Sequence, residues 1–309
     1  MNNSFFEHFL RFAARYPASW VGLTACCLLA AVLLAALALW PRTDDPDRPV
    51  PAPRTLPQRE SSAMLGEGGS PIPIEDAAPP PLANTDAPDR AGLAIVIDDL
   101  GESMQAAHAL LELRIPISFA IWPHARLARE TAMAAHAAGC AILIHQPMEA
   151  LDAAAKPGPN PLRIGMPRDR MEAIFRQNLT RVPYAEGVNN HMGSRFTARP
   201  GDVRLFCAMV ADSGLFVLDS VTHPASVLYE GAHAAGIPAA RRDIFLDAKP
   251  GKAAVLTQLR EAARLASQGK QVIAIGHPQP DTLAALREWN KTRDPRLRLL
   301  SLRDCLNPP

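Results

Sequence analysis

The stretch "AIVIDDLG" (94–101) sets two carboxylates, Asp98 and Asp99, side by side where an apolar run ends. Later apolar runs end in similar chemistry: Trp122 and His124 after "PISFAI", His145 after "CAILI", Asn190 and His191 in "GVNNHMGS", Asp219 after "LFVL", Asp247 after "RDIFL" and His277 after "QVIAIG". A solvated turn would account for one such ending, since Asp and Gly are common turn residues. It does not account for imidazole or carboxylate at nearly every one. Metal-assisted hydrolysis needs this set. Zn²⁺ or another divalent cation takes three His or Asp ligands and leaves a fourth position for water, whose pKa it lowers to about 7. A carboxylate then accepts the water proton and an imidazole returns one to the leaving group. Two aspartates at a bent strand end can divide the work, one toward the metal and one toward the water. His108, His136 and His233 fall inside helical patterns and are read as structural.

These residues need a frame that brings strand ends together. From Ala91 to Pro309, short apolar runs of four to seven residues alternate with longer helix-period segments. That alternation predicts parallel strands covered by helices. Seven or eight such units in 219 residues fit a (β/α) barrel, closed or nearly so, whose chemistry sits beyond the carboxyl ends of its strands. A doubly wound sheet is the alternative, because strand order is invisible at this level. No G-x-G-x-x-G follows any strand, so nothing supports a dinucleotide site.

Taken together, "IVIDDLG", "HQPME", "GVNNHMGS", "FVLDS" and "AIGHP" resemble the divergent polysaccharide deacetylases, a distant branch of the metal-dependent carbohydrate N-deacetylases, over nearly all of residues 91–305. The resemblance implies a distorted (β/α) barrel and removal of N-acetyl groups from a cell-envelope polysaccharide of the peptidoglycan type. It implies Asp98 as general base, Asp99 as metal ligand and His277 as general acid. The main family draws two ligands from His-x-x-x-His; the matching stretch here is His145-Gln-Pro-Met-Glu149. His191, at another strand end, is therefore taken as the third ligand, with Glu149 as its substitute. Trp122, His124, Asn190, Asp219 and Asp247 are cleft candidates. A non-catalytic glycan-binding or scaffold protein of the envelope is the competing reading, favoured by the altered His-x-x-x-His and opposed by the matched base and acid.

The remainder of the chain bears on location. Between Arg15 and Arg42 lies no charged residue, and Trp20–Trp40 is a 21-residue apolar run, about 30 Å as a helix and long enough to span a bilayer. A cleaved signal has an apolar core of only about 7–15 residues, so the run is read as a retained anchor. Residues 1–19 then form a short cytoplasmic segment. Residues 41–90 carry twelve prolines and little apolar periodicity, which predicts a disordered tether with a reach on the order of 40 Å. The expected arrangement is a single-pass protein of the cytoplasmic membrane with domain 91–309 outside the cytoplasm. A net charge of +1 without a basic patch gives nucleic acid nothing to bind. Cys140, Cys207 and Cys305 are too few for a disulfide framework and are read as core residues.

Overall fold

The structure, a computed structural model, describes residues 91–306. The expected leading segment 1–19, anchor 20–40 and tether 41–90 lie outside the described residues. Within the described residues no helix is long and apolar enough to cross a membrane.

Strand and helix alternate as the hydrophobic periods require. β1 (Gly92–Leu100), α1 (Met104–Leu111), β2 (Ile117–Ile121), α2 (Ala128–Ala137) and β3 (Ile142–Met148) come first. Next are α3 (Arg168–Arg181), β4 (Gly187–Met192), α4 (Pro200–Ala211), β5 (Phe216–Asp219) and α5 (Leu228–Ala234). The chain then forms β6 (Ala239–Arg241), β7 (Ile244–Phe245), α6 (Lys252–Ser267), β8 (Gln271–Gly276), α7 (Pro280–Thr292) and β9 (Leu299–Leu300). Local signals set the boundaries. The Ser103 hydroxyl accepts a hydrogen bond from the Ala106 amide at the start of α1, and Pro opens α4 and α7, where its missing N–H costs nothing. Past the end of α2, Gly139 adopts the left-handed φ of 75° that ends many helices.

All strands are parallel, in the order β6-β5-β4-β3-β2-β1-β8-β7, with β9 beside β1. This is the cyclic order of a (β/α) barrel, cut between β6 and β7, which do not pair. The sheet is a curled half-barrel. A doubly wound sheet would reverse its order at a switch point, and this one never does. Two expected strands are shorter than the sequence suggests. "RDIFLD" yields only the two residues of β7, and "RLRLLSL" only the two of β9, followed by a 3-10 turn (Leu302–Cys305).

Side chains alternate across the sheet with period two. Leu93, Ile95 and Ile97 of β1 belong to the larger core between sheet and helices. Ala94 and Val96 belong to a smaller cluster inside the curl, with Ala120, Leu143, Phe216, Leu218, Ile273 and Ile275. Leu302 and Cys305 join that inner cluster. Gly187 faces the same interior, where a Cβ would meet the Phe216 ring at 2.3 Å, so only glycine leaves room for the aromatic. Cys207 and Cys305 are free and buried and Cys140 is free and half-buried.

Candidate active site

A regular strand would send Asp98 and Asp99 to opposite faces, yet both line one cavity of about 400 Å³ at the carboxyl ends of the strands. The reason is a β-bulge. Ile97 pairs with Phe119 and Leu100 with Ile121, so three steps along β1 oppose two along β2. Asp98 keeps the inward alternation of Ala94 and Val96. Asp99 takes φ 55°, a left-handed conformation that Asp tolerates better than most residues. The extra residue re-aims the second carboxylate, as bulges beside active sites commonly do.

The same alternation brings in His145 from β3, Asn189 and His191 from β4, Ser220 after β5 and His277 after β8. Asp99 Oδ1 lies 3.1 Å from His145 Nε2 and 2.9 Å from His191 Nδ1. The three ligating atoms fall within 4.8 Å of one another. Hydrogen-bond logic then sets how His145 is oriented. The Asn189 amide nitrogen donates to Asp98 Oδ1 at 2.8 Å and to Ser220 Oγ at 3.1 Å. Its carbonyl oxygen therefore faces His145 Nδ1, 2.9 Å away, and must accept from Nδ1–H. Nε2 then faces Asp99 Oδ1, a buried oxygen, so in the neutral imidazole its lone pair meets the carboxylate, and either a proton on Nε2 or a bound cation must sit between them. Lone pairs aimed at a common point repel unless a cation lies between them. These residues therefore fit a divalent metal, with Asn189 orienting His145 from behind.

Electrostatics point the same way. Burial disfavours charge on Asp99, but the two imidazoles outweigh it and hold the carboxyl well below the usual range. Burial also disfavours charge on His145, yet Asp98 and Asp99 lift its pKa to about 9. Positive charge is favoured at this spot. Asp98 behaves differently: it is almost fully buried, and burial raises its pKa despite His145, His277 and the Asn189 hydrogen bond.

His277 closes the opposite side, with Nε2 3.9 Å from Asp99 Oδ2. Its Nδ1 lies 3.0 Å from Asp247 Oδ1, and a carboxylate can only accept, so Nδ1 carries a proton and Nε2 faces the cavity. Asp247 Oδ2 also accepts from the His277 backbone amide at 2.7 Å and the Thr282 hydroxyl at 2.9 Å. Burial opposes charge on His277, but the Asp247 hydrogen bond and Asp98 raise its pKa.

Of the other sequence candidates, Asn190 lines the cavity and the rest fall elsewhere. Glu149, the substitute ligand, lies outside the metal-ligating group: its carboxylate pairs with Arg195 at 3.2 Å and accepts from the Ile164 amide at 3.0 Å. Asp247 does not line the cavity but positions His277. Asp219 is buried and spent on its own loop, accepting from the Val221 amide and the Ser226 hydroxyl at 2.8 Å each. Asn190 borders the cavity and ties loops, donating to Met192 O and accepting from the Ser220 amide. Trp122 packs beside His191, ring centroids 6.2 Å apart, with His124 at its edge; neither lines the cavity. Asn189, Ser220, Arg242 and Phe245 are lining or supporting residues that the sequence reading passed over. Counting back two from His191 would have found Asn189.

Known proteins can now be set beside this geometry. The sequence pattern of divergent polysaccharide deacetylases matches residues 95–306. The uncharacterized protein YibQ of Escherichia coli K12 is 36% identical over 217 residues, covering 70% of this chain and 68% of its own. An uncharacterized protein of Haemophilus influenzae is 37% identical over 195 residues, covering 63% and 69%. Among solved structures, the uncharacterized protein ATU2773 of Agrobacterium tumefaciens superimposes with a TM-score of 0.60 at 24% identity, over 65% of this chain and 82% of that one. That likeness speaks for the fold, and the matched pattern speaks for a hydrolase. From β1 through the final 3-10 turn, the chain belongs to the divergent polysaccharide deacetylase family.

Proposed function

We propose that the protein is a metal-dependent hydrolase that removes N-acetyl groups from a cell-envelope polysaccharide, held to the cytoplasmic membrane by residues 20–40 with its barrel on the outer side. One observation carries the catalytic part of this reading: the convergence of Asp99, His145 and His191 on one point, with Asp98 and His277 in the same cavity. Bound there, Zn²⁺ or another divalent cation would supply Lewis acidity toward the amide carbonyl and toward water.

The chain's own groups handle the protons. Asp98 accepts one from the attacking water; its burial raises its proton affinity, and Asn189 holds one of its oxygens. His277 delivers a proton from Nε2 to the departing amine. Asp247 keeps Nδ1 protonated and favours the imidazolium that must exist before delivery. Asn189 bonds both Asp98 and His145, so one amide aligns the base with a ligand.

The test is metal analysis of the purified full-length chain, followed by acetate release from N-acetylated glycans. A divalent cation near one per chain and acetate production are expected. Bound metal without acetate from any glycan would favour the glycan-binding scaffold; neither would remove the reading altogether. For location, a periplasmic-type phosphatase fused after Pro88 is expected to be active, and activity of a cytosolic reporter there would reverse the orientation.

A further inference from the structure

Arg242 stands out among the described arginines that reach a cavity. Its Nε donates to Ser220 O at 2.7 Å and its Nη2 to Val221 O at 2.9 Å. Both partners are neutral carbonyls, and Arg242 enters no ion pair among the described residues. Arg241, next to it in the chain, is treated otherwise and pairs with Glu230 at 3.8 Å. The guanidinium is half-buried in the wall of the catalytic cavity and lies 5.1 Å from the Phe245 ring centroid. That ring in turn meets His277 edge-on at 5.5 Å. A cation is thus held rigidly one aromatic ring away from His277. A guanidinium carries five N–H donors, and two are used.

The turn that Arg242 grips is itself constrained. Val221 has φ 49°, an outlier for a β-branched residue; the Asp219 carboxylate holds its amide and Arg242 its carbonyl. Strained backbone of this kind gathers at ligand clamps. Asp98, Asp219 and Asp243 act on Arg242 only through space, so although Asp98 shares the cavity wall, no carboxylate among the described residues pairs directly with the guanidinium.

We infer that Arg242, steadied by Phe245, is a specificity residue that binds a carboxylate on the glycan, and that the substrate is an acidic N-acetylated polymer rather than a neutral one. The planar fork of the guanidinium suits a carboxylate. A lactyl ether on the hexosamine or a uronic acid beside it would both present that group. The inference rests on the proposed deacetylation for its substrate class but is read out by binding, which needs no turnover.

The experiment uses the zinc-supplemented full-length chain and four tetrasaccharides: neutral N-acetylglucosamine tetramer, alternating N-acetylglucosamine and N-acetylmuramic acid, the same glycan with its carboxyls reduced to alcohols, and a uronate-containing N-acetylated glycan. Kd by calorimetry and kcat/KM for acetate release are measured together. The wild type is expected to favour a carboxylate-bearing glycan over the carboxyl-reduced one by about 10- to 100-fold, the worth of a charge-assisted hydrogen bond. The lactyl and uronate arms identify which source is read. Arg242→Gln should collapse that ratio toward one, and Arg242→Lys should retain part of it. Equal wild-type affinity for acidic and reduced glycans overturns the inference without relying on any variant, and so does a preference that survives in Arg242→Gln. Equal acetate release from neutral and acidic glycans removes this subsite and leaves deacetylation standing. A binding preference without acetate release does the reverse.

Discussion

The inward faces of the same strands are built differently at their two ends. Near the amino ends, Ala94, Val96, Leu143, Leu218 and Ile273 pack together and are stopped from below by Leu302 and Cys305. Two to four residues further along β1, β3 and β8, the inward positions become Asp98, His145 and His277. Along β3 and β8 the alternation simply continues and the residue type changes, while β1 adds its bulge at Asp98–Asp99. The lower layer gains by excluding water, each buried Leu or Ile contributing about 1.5–3 kcal/mol. In the upper layer charged groups are drawn together, at a cost that the fold below must sustain. Stability and chemistry are thus stacked along one set of strands.

Substitutions can separate the two layers. The largest effect is expected from His191→Ala, which removes a nitrogen of the proposed metal site. Bound Zn²⁺ should fall sharply and acetate release with it, measured by metal content after dialysis, while circular dichroism stays that of the wild type. Full Zn²⁺ retention would take His191 out of the ligand set. Asp98→Asn should retain metal and lose about 10²–10⁴-fold in kcat, the usual worth of a general base. Metal loss in this variant, with retention in Asp99→Asn, would exchange the roles of the two aspartates.

In the lower layer, Leu302→Ala should cost about 2–4 kcal/mol of stability in denaturant unfolding and leave Zn²⁺ stoichiometry unchanged. A loss of metal there would mean that the layers are not separable. The smallest effect is expected from Asp247→Asn. Asp247 raises the His277 pKa, and under the proposed mechanism the protonated imidazole is the acid, so activity should fall as pH rises through that pKa. Removing the anion lowers the pKa, and the alkaline limb of the rate profile should move to lower pH. An unmoved limb would separate Asp247 from proton delivery.

The upper layer was the more legible of the two. Asp98, His145 and His277 follow apolar runs, and a reader who counts in twos can place them on the inward face, with His191 two beyond Asn189 on β4. What the sequence hid follows from short or irregular strands. β6 is three residues with only two alanines to mark it, so Arg242 looked like the start of a strand. It lies instead just past the end of β6, on the side where the chemistry is. The bulge in β1 was equally silent, since nothing in "IVIDDL" says which aspartate leaves the ladder. Glu149 misled by spacing: four residues from His145 resembles a ligand pair, but β3 ends at Met148 and the next side chain is free to pair with Arg195. Nor could strand order be read locally, because it depends on which edges meet after collapse.

The left-handed residue in β1 has a consequence for inheritance. Asp98 and Asp99 together fill the bulge between Ile97 and Leu100, so strand length and site composition are one variable. A deletion at the Asp99 codon would restore an even ladder between Ile97 and Leu100, keep the inward Asp98, and leave the cavity one acid short. Substitution is narrower than the side-chain chemistry suggests, because the backbone there favours Gly, Asn and Asp and only the last brings a charged oxygen. If the proposed metal site holds, a chain with one residue fewer between that isoleucine and leucine is expected to fold the same barrel and bind the metal poorly.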